Sequence, residues 1–185
     1  MGSKIFLTGL PGVGKSTVLA KVIDELKSRG MKVGGMVTQE ARQHNVRVGF
    51  KITDVLTGRE GWLARVRQPV GPRVGKYAVD LEGLEGIGVQ AIREALGNPE
   101  VSVVAIDELG PMELFSTTFK DAVRQVIASG KTLIGTIHYR ANDPLLREIR
   151  NMPNVKIISV TKENRPGLQR DIVQELMGKE EMVRR

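Results

Sequence analysis

The sequence predicts an α/β protein in which a mostly parallel sheet, covered by helices on both faces and carrying a β-hairpin insertion, is built around a phosphate-binding loop. Three observations carry this. Short apolar runs alternate with amphipathic stretches over most of the 185 residues, the pattern of parallel strands joined by right-handed helical crossovers. The stretch "GLPGVGKST" sits between the apolar run "KIFLT" and a helical pattern, the setting that a P-loop requires. From about 40 to 79 the alternation gives way to the short runs "RVGFKITDV" and "GWLARV", broken by "TGREG" and "VGPRVG", which marks β-hairpins inserted into the α/β core.

Residues 4–8 read as a buried strand, and 15–29 as a helix with Val18, Leu19, Val22, Ile23 and Leu26 at helical spacing and Gly30 as its stop. A second strand is expected over 32–38, followed by the insertion. Residues 81–96 read as a helix despite three glycines, with "GNP" ending it. Strands at 101–107, 132–137 and 155–160 then alternate with helices at about 116–129, 143–151 and 165–177. One P-loop domain is expected over 1–178, with 179–185 as a frayed tail. In such a sheet ligands bind at the carboxyl ends of the strands, which is where the P-loop falls.

Composition narrows the class. At 41% hydrophobic and 26% charged residues the chain has enough apolar matter for a core and too ordinary a charge content for disorder. "VSVVAI" and "KIISV" are far too short to span a bilayer, and the N-terminus has no signal-peptide apolar region. There is no cysteine, which excludes disulfides and thiolate metal sites and suits a cytoplasmic protein. The net charge of +7 permits a nucleic-acid partner, but the basic residues are scattered and aromatics make up 4% of the chain, so no base-stacking platform is apparent. A basic surface that suits a polyanionic nucleotide is the simpler account.

The spacing Gly9-x-x-x-x-Gly14-Lys15-Ser16 is that of the Walker A loop. Gly9, Gly12 and Gly14 allow the backbone N–H groups from Leu10 and Pro11 through Val13 to Thr17, proline excepted, to converge on one anion, and the following helix adds its positive end. Lys15 would reach the β- and γ-phosphates and the Ser16 hydroxyl would ligate Mg2+. The alternative is a Gly-rich turn that binds nothing, and the agreement of spacing, Lys-Ser ending and flanking elements argues against it. In "VSVVAIDELGPMELF" the apolar residues Val103, Val104, Ala105 and Ile106 run into Asp107 and Glu108, the form of a buried strand delivering two carboxylates to the sheet edge, as a Walker B strand does. Asp107 is then the second magnesium ligand, and Glu108 orients or deprotonates the attacking water. The bland alternative is an acidic pair that caps a turn.

Here the chain resembles the P-loop nucleoside-triphosphatase family first described from thermophiles. The matching segments are "LTGLPGVGKST", "TQEARQ" with "VGFKI", "VGKYAVD", "VVAIDELGPMELFS", "LIGTI", "EIRNMPNVKII" and "VTKENRPGLQRDI", in family order over nearly the whole chain. The resemblance implies a RecA-like domain and slow, magnesium-dependent hydrolysis of ATP, GTP and other nucleoside triphosphates to the diphosphate and phosphate. It also implies that "GLPGVGKS" and the region of "VAIDELG", through Leu109 and Gly110, bind the nucleotide. Pro111 stands where a Lys is expected after the Gly.

Other residues stay open between two readings. Glu113 is a second acidic group near the metal or water, or a carboxylate stabilising a helix N-terminus. Thr136, ending the strand "TLIGTI", bonds the γ-phosphate or the water, or is an ordinary strand-end Thr. The insertion holds Arg42, Arg47, Arg59, Arg65, Arg67, Arg73 and Lys76, mostly surface charges. Arg42 is the preferred arginine to act in cis on the γ-phosphate, because "EAR" lies in a family-like segment at a strand end. Asn164 and Arg165 flank the base, or form a helix cap beside a surface Arg. His44 and His138 lack a paired His at ligand spacing, so no transition-metal site is expected. Trp62 and the methionines read as packing.

These observations predict a monomeric nucleoside-triphosphatase using Mg2+. The alternatives are a small-molecule or nucleoside kinase with the insertion as its acceptor site, and a nucleotide-switched nucleic-acid-binding protein.

Overall fold

The computed structural model describes residues 2–183, and side chains through residue 178. Strand β1 (Lys4–Thr8) leads through the glycine loop into helix α1 (Lys15–Ser28), which is followed by β2 (Val33–Gln43). The insertion supplies β3 (Val46–Asp54), β4 (Glu60–Arg65), β5 (Arg73–Val74) and β6 (Tyr77–Val79). A helical run comes next, made of α2 (Leu81–Gly83), a π-helical stretch (Leu84–Val89) and α3 (Gln90–Gly97). The rest is β7 (Val103–Leu109), a 3-10 turn (Glu113–Phe115), α4 (Thr117–Ala128), β8 (Thr132–Ile137), α5 (Pro144–Asn151), β9 (Val155–Ser159) and α6 (Arg165–Val183).

One nine-stranded sheet runs in the order β5-β6-β4-β3-β2-β7-β8-β1-β9. The pairs β2–β7, β7–β8, β8–β1 and β1–β9 are parallel, and every pair within the insertion is antiparallel. The apolar strands are apolar because both faces are covered. On one face Ile5, Leu7, Val103, Ala105 and Ile134 pack with Val18, Val22 and Leu26 of α1 and Ile172 and Leu176 of α6. On the other, Phe6, Val104, Ile106 and Leu133 pack with Ile92 of α3, Phe119 and Val123 of α4, and Leu146 of α5. The period-2 alternation along β1 and β7 thus divides the core into two layers.

Three expectations are corrected. Strand β2 does not end at residue 38 but continues to Gln43, because beyond its parallel pairing with β7 it gains an antiparallel partner, Met36 to Gln43 pairing with Val46 to Asp54. The insertion is therefore an extension of the main sheet. The helix over 81–96 carries the π-helical stretch, and two of its three glycines serve close approach: a Cβ at Gly83 would lie 2.2 Å from Trp62 O, and one at Gly88 2.8 Å from Met36 Sδ. Helix α6 runs past residue 178 to Val183, over most of the stretch expected to be a tail, and residues 184–185 lie outside the described residues. No helix among the described residues is long and apolar enough to cross a membrane.

Strand β8 separates the phosphate-loop strand β1 from the acidic strand β7. The carboxyl ends of these three strands therefore stand side by side, and this is the feature of the fold that makes the site.

Candidate active site

Gly12 (φ 75°) and Gly14 (φ 105°) hold the loop after β1 in backbone conformations that L side chains rarely adopt. Gly14 is also the N-cap of α1, and no side chain caps that helix, so the first amides of a 14-residue helix are left to an anionic ligand. Lys15 Nζ lies over the loop, donating to Gly9 O at 3.0 Å and Leu10 O at 3.2 Å. Behind the loop, the Arg165 guanidinium donates to Val13 O at 3.0 Å and fills the space beside Gly14, where a Cβ would fall 2.9 Å from Arg165 Cδ.

The register of β7 against β8 shifts between Ile106 and Leu109, so that Asp107 and Glu108 form a bulge opposite Thr136. Such bulges re-aim side chains at sites. Asp107 is buried, and its Oδ1 accepts from Thr136 Oγ1 at 2.6 Å and Ser16 Oγ at 3.2 Å. Burial pushes its carboxyl up to about 6, against the bonds from Thr136 and Ser16. Glu108 lines a cleft of about 810 Å³ that runs from the phosphate loop to the hairpins. Burial raises its pKa, while the Lys15 ammonium pulls it down. Glu113, 4% exposed, also lines the cleft. Burial first, then the charge of Glu108, pushes its carboxyl well above the usual range. Both side chains close on Gly110: a Cβ there would lie 3.2 Å from Glu113 Oε2 and 3.3 Å from Glu108 Cγ.

Ser16 and Asp107 fit a magnesium ion. They are hard oxygen donors side by side at the end of a phosphate loop, and Mg2+ commonly takes one or two protein oxygens with phosphate and water completing its shell.

The structure thus brings together Gly9, Pro11, Gly12, Gly14, Lys15, Ser16, Thr17, Glu108 and Glu113 on one cleft. Other predicted residues act from behind it. Val104, Ala105, Ile106 and Leu109 are buried in the sheet and position Asp107 rather than line the cleft. Leu10 is exposed, and the Thr136 hydroxyl is engaged with Asp107. Asn164 caps a turn, its Oδ1 accepting from Thr161 N at 2.8 Å and its amide donating to Ser159 O at 2.8 Å. Arg42 is held at the β2–β3 turn by Glu40 (2.7 Å) and Asn45 O (3.1 Å). The arginine lining the cleft is Arg47, bonded to Tyr77 Oη at 2.9 Å and Glu40 Oε1 at 2.6 Å, with its guanidinium 5.3 Å from the Phe50 ring centre. Sequence singled out neither Arg47, one of several basic residues in the insertion, nor His138, which also lines the cleft. Only the pairing of β3 with β2 and the central place of β8 distinguish them.

Asp107 gives a testable pH dependence. Its pKa is higher in the folded protein, about 6, than its ordinary 3.8. The folded state therefore holds the proton more tightly, and the stability this confers is complete below pH about 4 and lost as pH rises through about 6. Asp107→Asn keeps an oxygen acceptor for Ser16 and Thr136 without the buried charge. It is expected to stabilise the metal-free protein at pH 7.5, by an amount on the order of 2–3 kcal/mol, and little at pH 4. Thermal melts of both proteins at the two pH values check this. An equal difference at both would contradict it.

Comparison with known proteins places this chain in a family. A sequence profile of the family described as NTPase matches residues 4–173. The nucleoside-triphosphatase THEP1 of Thermofilum pendens is 49% identical over 178 residues, covering 95% of this chain and 97% of that protein. The crystal structure of THEP1 from Aquifex aeolicus superposes with a TM-score of 0.81 at 35% identity, covering 94% of this chain and 98% of that one. The solution structure of a human cancer-related nucleoside triphosphatase gives 0.79 at 43% identity, covering 94% and 96%.

Proposed function

This chain belongs to the nucleoside-triphosphatase family, and on that premise we propose a slow, magnesium-dependent hydrolysis of ATP, GTP and other nucleoside 5′-triphosphates to the diphosphate and phosphate. Hydrolysis of nucleoside triphosphates is the family's activity and this enzyme's. The metal, the range of bases, the rate and the residue roles are the proposal. The observation that carries it is the contact of Ser16 with Asp107 beneath the phosphate loop, with Lys15 and Glu108 on the same cleft.

The loop amides and the N-terminus of α1 hold the phosphate chain, and Lys15 balances its negative charge. Ser16 and Asp107 would hold Mg2+, which neutralises phosphate charge when bound. Thr136 keeps Asp107 in place. Glu108 orients a water in line with the γ-phosphorus and takes its proton as the new P–O bond forms and the bond to the bridging oxygen breaks. Two adjacent carboxyls do not ionise together readily, and the pair divides unequally. Lys15 favours the charged form of Glu108, whereas Glu108 and Asp107 both oppose that of Glu113. Glu108 is therefore the proposed base, and Glu113 is the carboxyl of the pair whose charged form its neighbours oppose. Slow turnover is in keeping with Arg47, the arginine of the cleft, being engaged by Glu40 and Tyr77.

The proposal includes one domain whose last helix reaches Val183, a monomer in the cytoplasm, and no need for nucleic acid. In support, the basic residues are scattered and the chain has no cysteine. Arg165 donates to Val13 O behind the loop, and its proposed role is to support the loop rather than to read the base.

Excess chelator is expected to stop phosphate release from ATP, and added Mg2+ to restore it. Release that persists in chelator would contradict the assignment of Ser16 and Asp107.

A further inference from the structure

We propose that His138 is a catalytic residue whose Nε2–H donates a hydrogen bond to the γ-phosphate of the bound triphosphate. This rests on the nucleoside-triphosphatase reading of the cleft and adds to it a residue that neither the P-loop nor the acidic strand supplies.

The first support is placement. β8 runs between β1, which carries the phosphate loop, and β7, which carries Asp107 and Glu108. His138 is the first residue after β8, so it emerges between the groups that hold the phosphates and the group that handles the water. It lines the same cleft as Lys15, Ser16 and Glu108.

The second is the state of its ring. Nδ1 accepts from the backbone N–H of Arg140 at 3.2 Å and of Ala141 at 3.0 Å. A nitrogen that accepts carries no proton, so the neutral imidazole has its hydrogen on Nε2 and can only donate there. Burial and the neighbouring Lys15 charge lower the pKa of the ring, which favours that neutral form. The backbone is also fixed: His138 N–H donates to Leu109 O at 3.0 Å, tying the ring to the end of the acidic strand. The donor is thus oriented before a ligand arrives, which is the condition under which a hydrogen bond to developing phosphate charge is most effective.

The bland reading is that His138 only shapes the turn through Nδ1. Two substitutions separate the roles. His138→Asn places an oxygen near the position of Nδ1 and preserves the turn, but has no donor as far out as Nε2. His138→Gln places an amide nitrogen near the position of Nε2 but loses the acceptor for the turn. If His138 donates to the γ-phosphate, the Asn variant loses roughly 10²-fold in kcat, while the Gln variant stays within about tenfold of the parent. Binding adds a second readout. The Asn variant is expected to bind ADP as the parent does, and a non-hydrolysable ATP analogue about tenfold more weakly, since only the latter has a γ-phosphate. A parental rate in the Asn variant, a Gln variant no better than the Asn variant, or equal losses for ADP and the analogue would each overturn the role. A parent protein without any turnover would instead overturn the hydrolytic reading on which it rests, and the role with it.

Discussion

Lys15→Ala is expected to remove turnover and weaken nucleotide binding together. The ammonium lies on the loop carbonyls of Gly9 and Leu10, at the mouth of a helix whose first amides no side chain caps. Those amides contribute partial charges, and Lys15 is the full positive charge within the loop. A triphosphate gathers negative charge both in the bound state and at the bridging oxygen as the bond breaks, so the same side chain acts on KM and kcat. The variant should fold normally, because Lys15 is not part of either apolar core layer. Near-normal phosphate release by a folded Lys15→Ala protein would refute the phosphate-loop assignment, and titration with ADP would show whether the loss reaches the ground state.

Glu108→Gln is expected to lower kcat by about 10²–10⁴-fold, the usual range of a general-base contribution, and to leave binding intact. Gln keeps the size and a hydrogen-bonding oxygen, but it cannot take a proton. Binding is expected to survive because the proposed phosphate and metal contacts are those of the loop, Lys15, Ser16 and Asp107, not of Glu108. Asp107→Asn behaves differently, losing magnesium affinity as well as rate. The test discriminates between two neighbouring carboxyls. A parental rate for Glu108→Gln together with an inactive Glu113→Gln would transfer the base role to Glu113. Full activity in both would remove side-chain base catalysis and leave the γ-phosphate itself as proton acceptor.

Much of this was legible in the residues, for physical reasons. β1, β7 and β8 are buried on both faces and so read as continuous apolar runs. A loop that wraps a phosphate needs glycines at fixed offsets and a Lys-Ser pair at the helix start, and these are local in sequence. What was less legible depends on pairing between distant segments. Gln43 lies in β2 only because β3 folds back on it. Arg47 is brought to the cleft by that hairpin, while Arg42, five residues away, is taken up by Glu40 at the turn. His138 gains its position from the order of the sheet, in which the strand before it lies between the loop strand and the acidic strand. The sequence leaves Thr136 open between a partner of phosphate or water and an ordinary strand-end Thr, and the bulge at Asp107 and Glu108 turns Asp107 onto its hydroxyl. Arg165 likewise supports the loop from behind, a relation that spans 152 residues to Val13, while Asn164 caps its own local turn.

The central claim is that Glu108 and the phosphate loop direct water onto the γ-phosphorus. A single turnover of ATP in ¹⁸O-labelled water, with the products resolved by mass, tests it most directly. The account predicts label in the inorganic phosphate and none in ADP, with the labelled product appearing about 10²–10⁴-fold more slowly in Glu108→Gln. Label in the diphosphate would place the attack at the β-phosphorus and contradict the account.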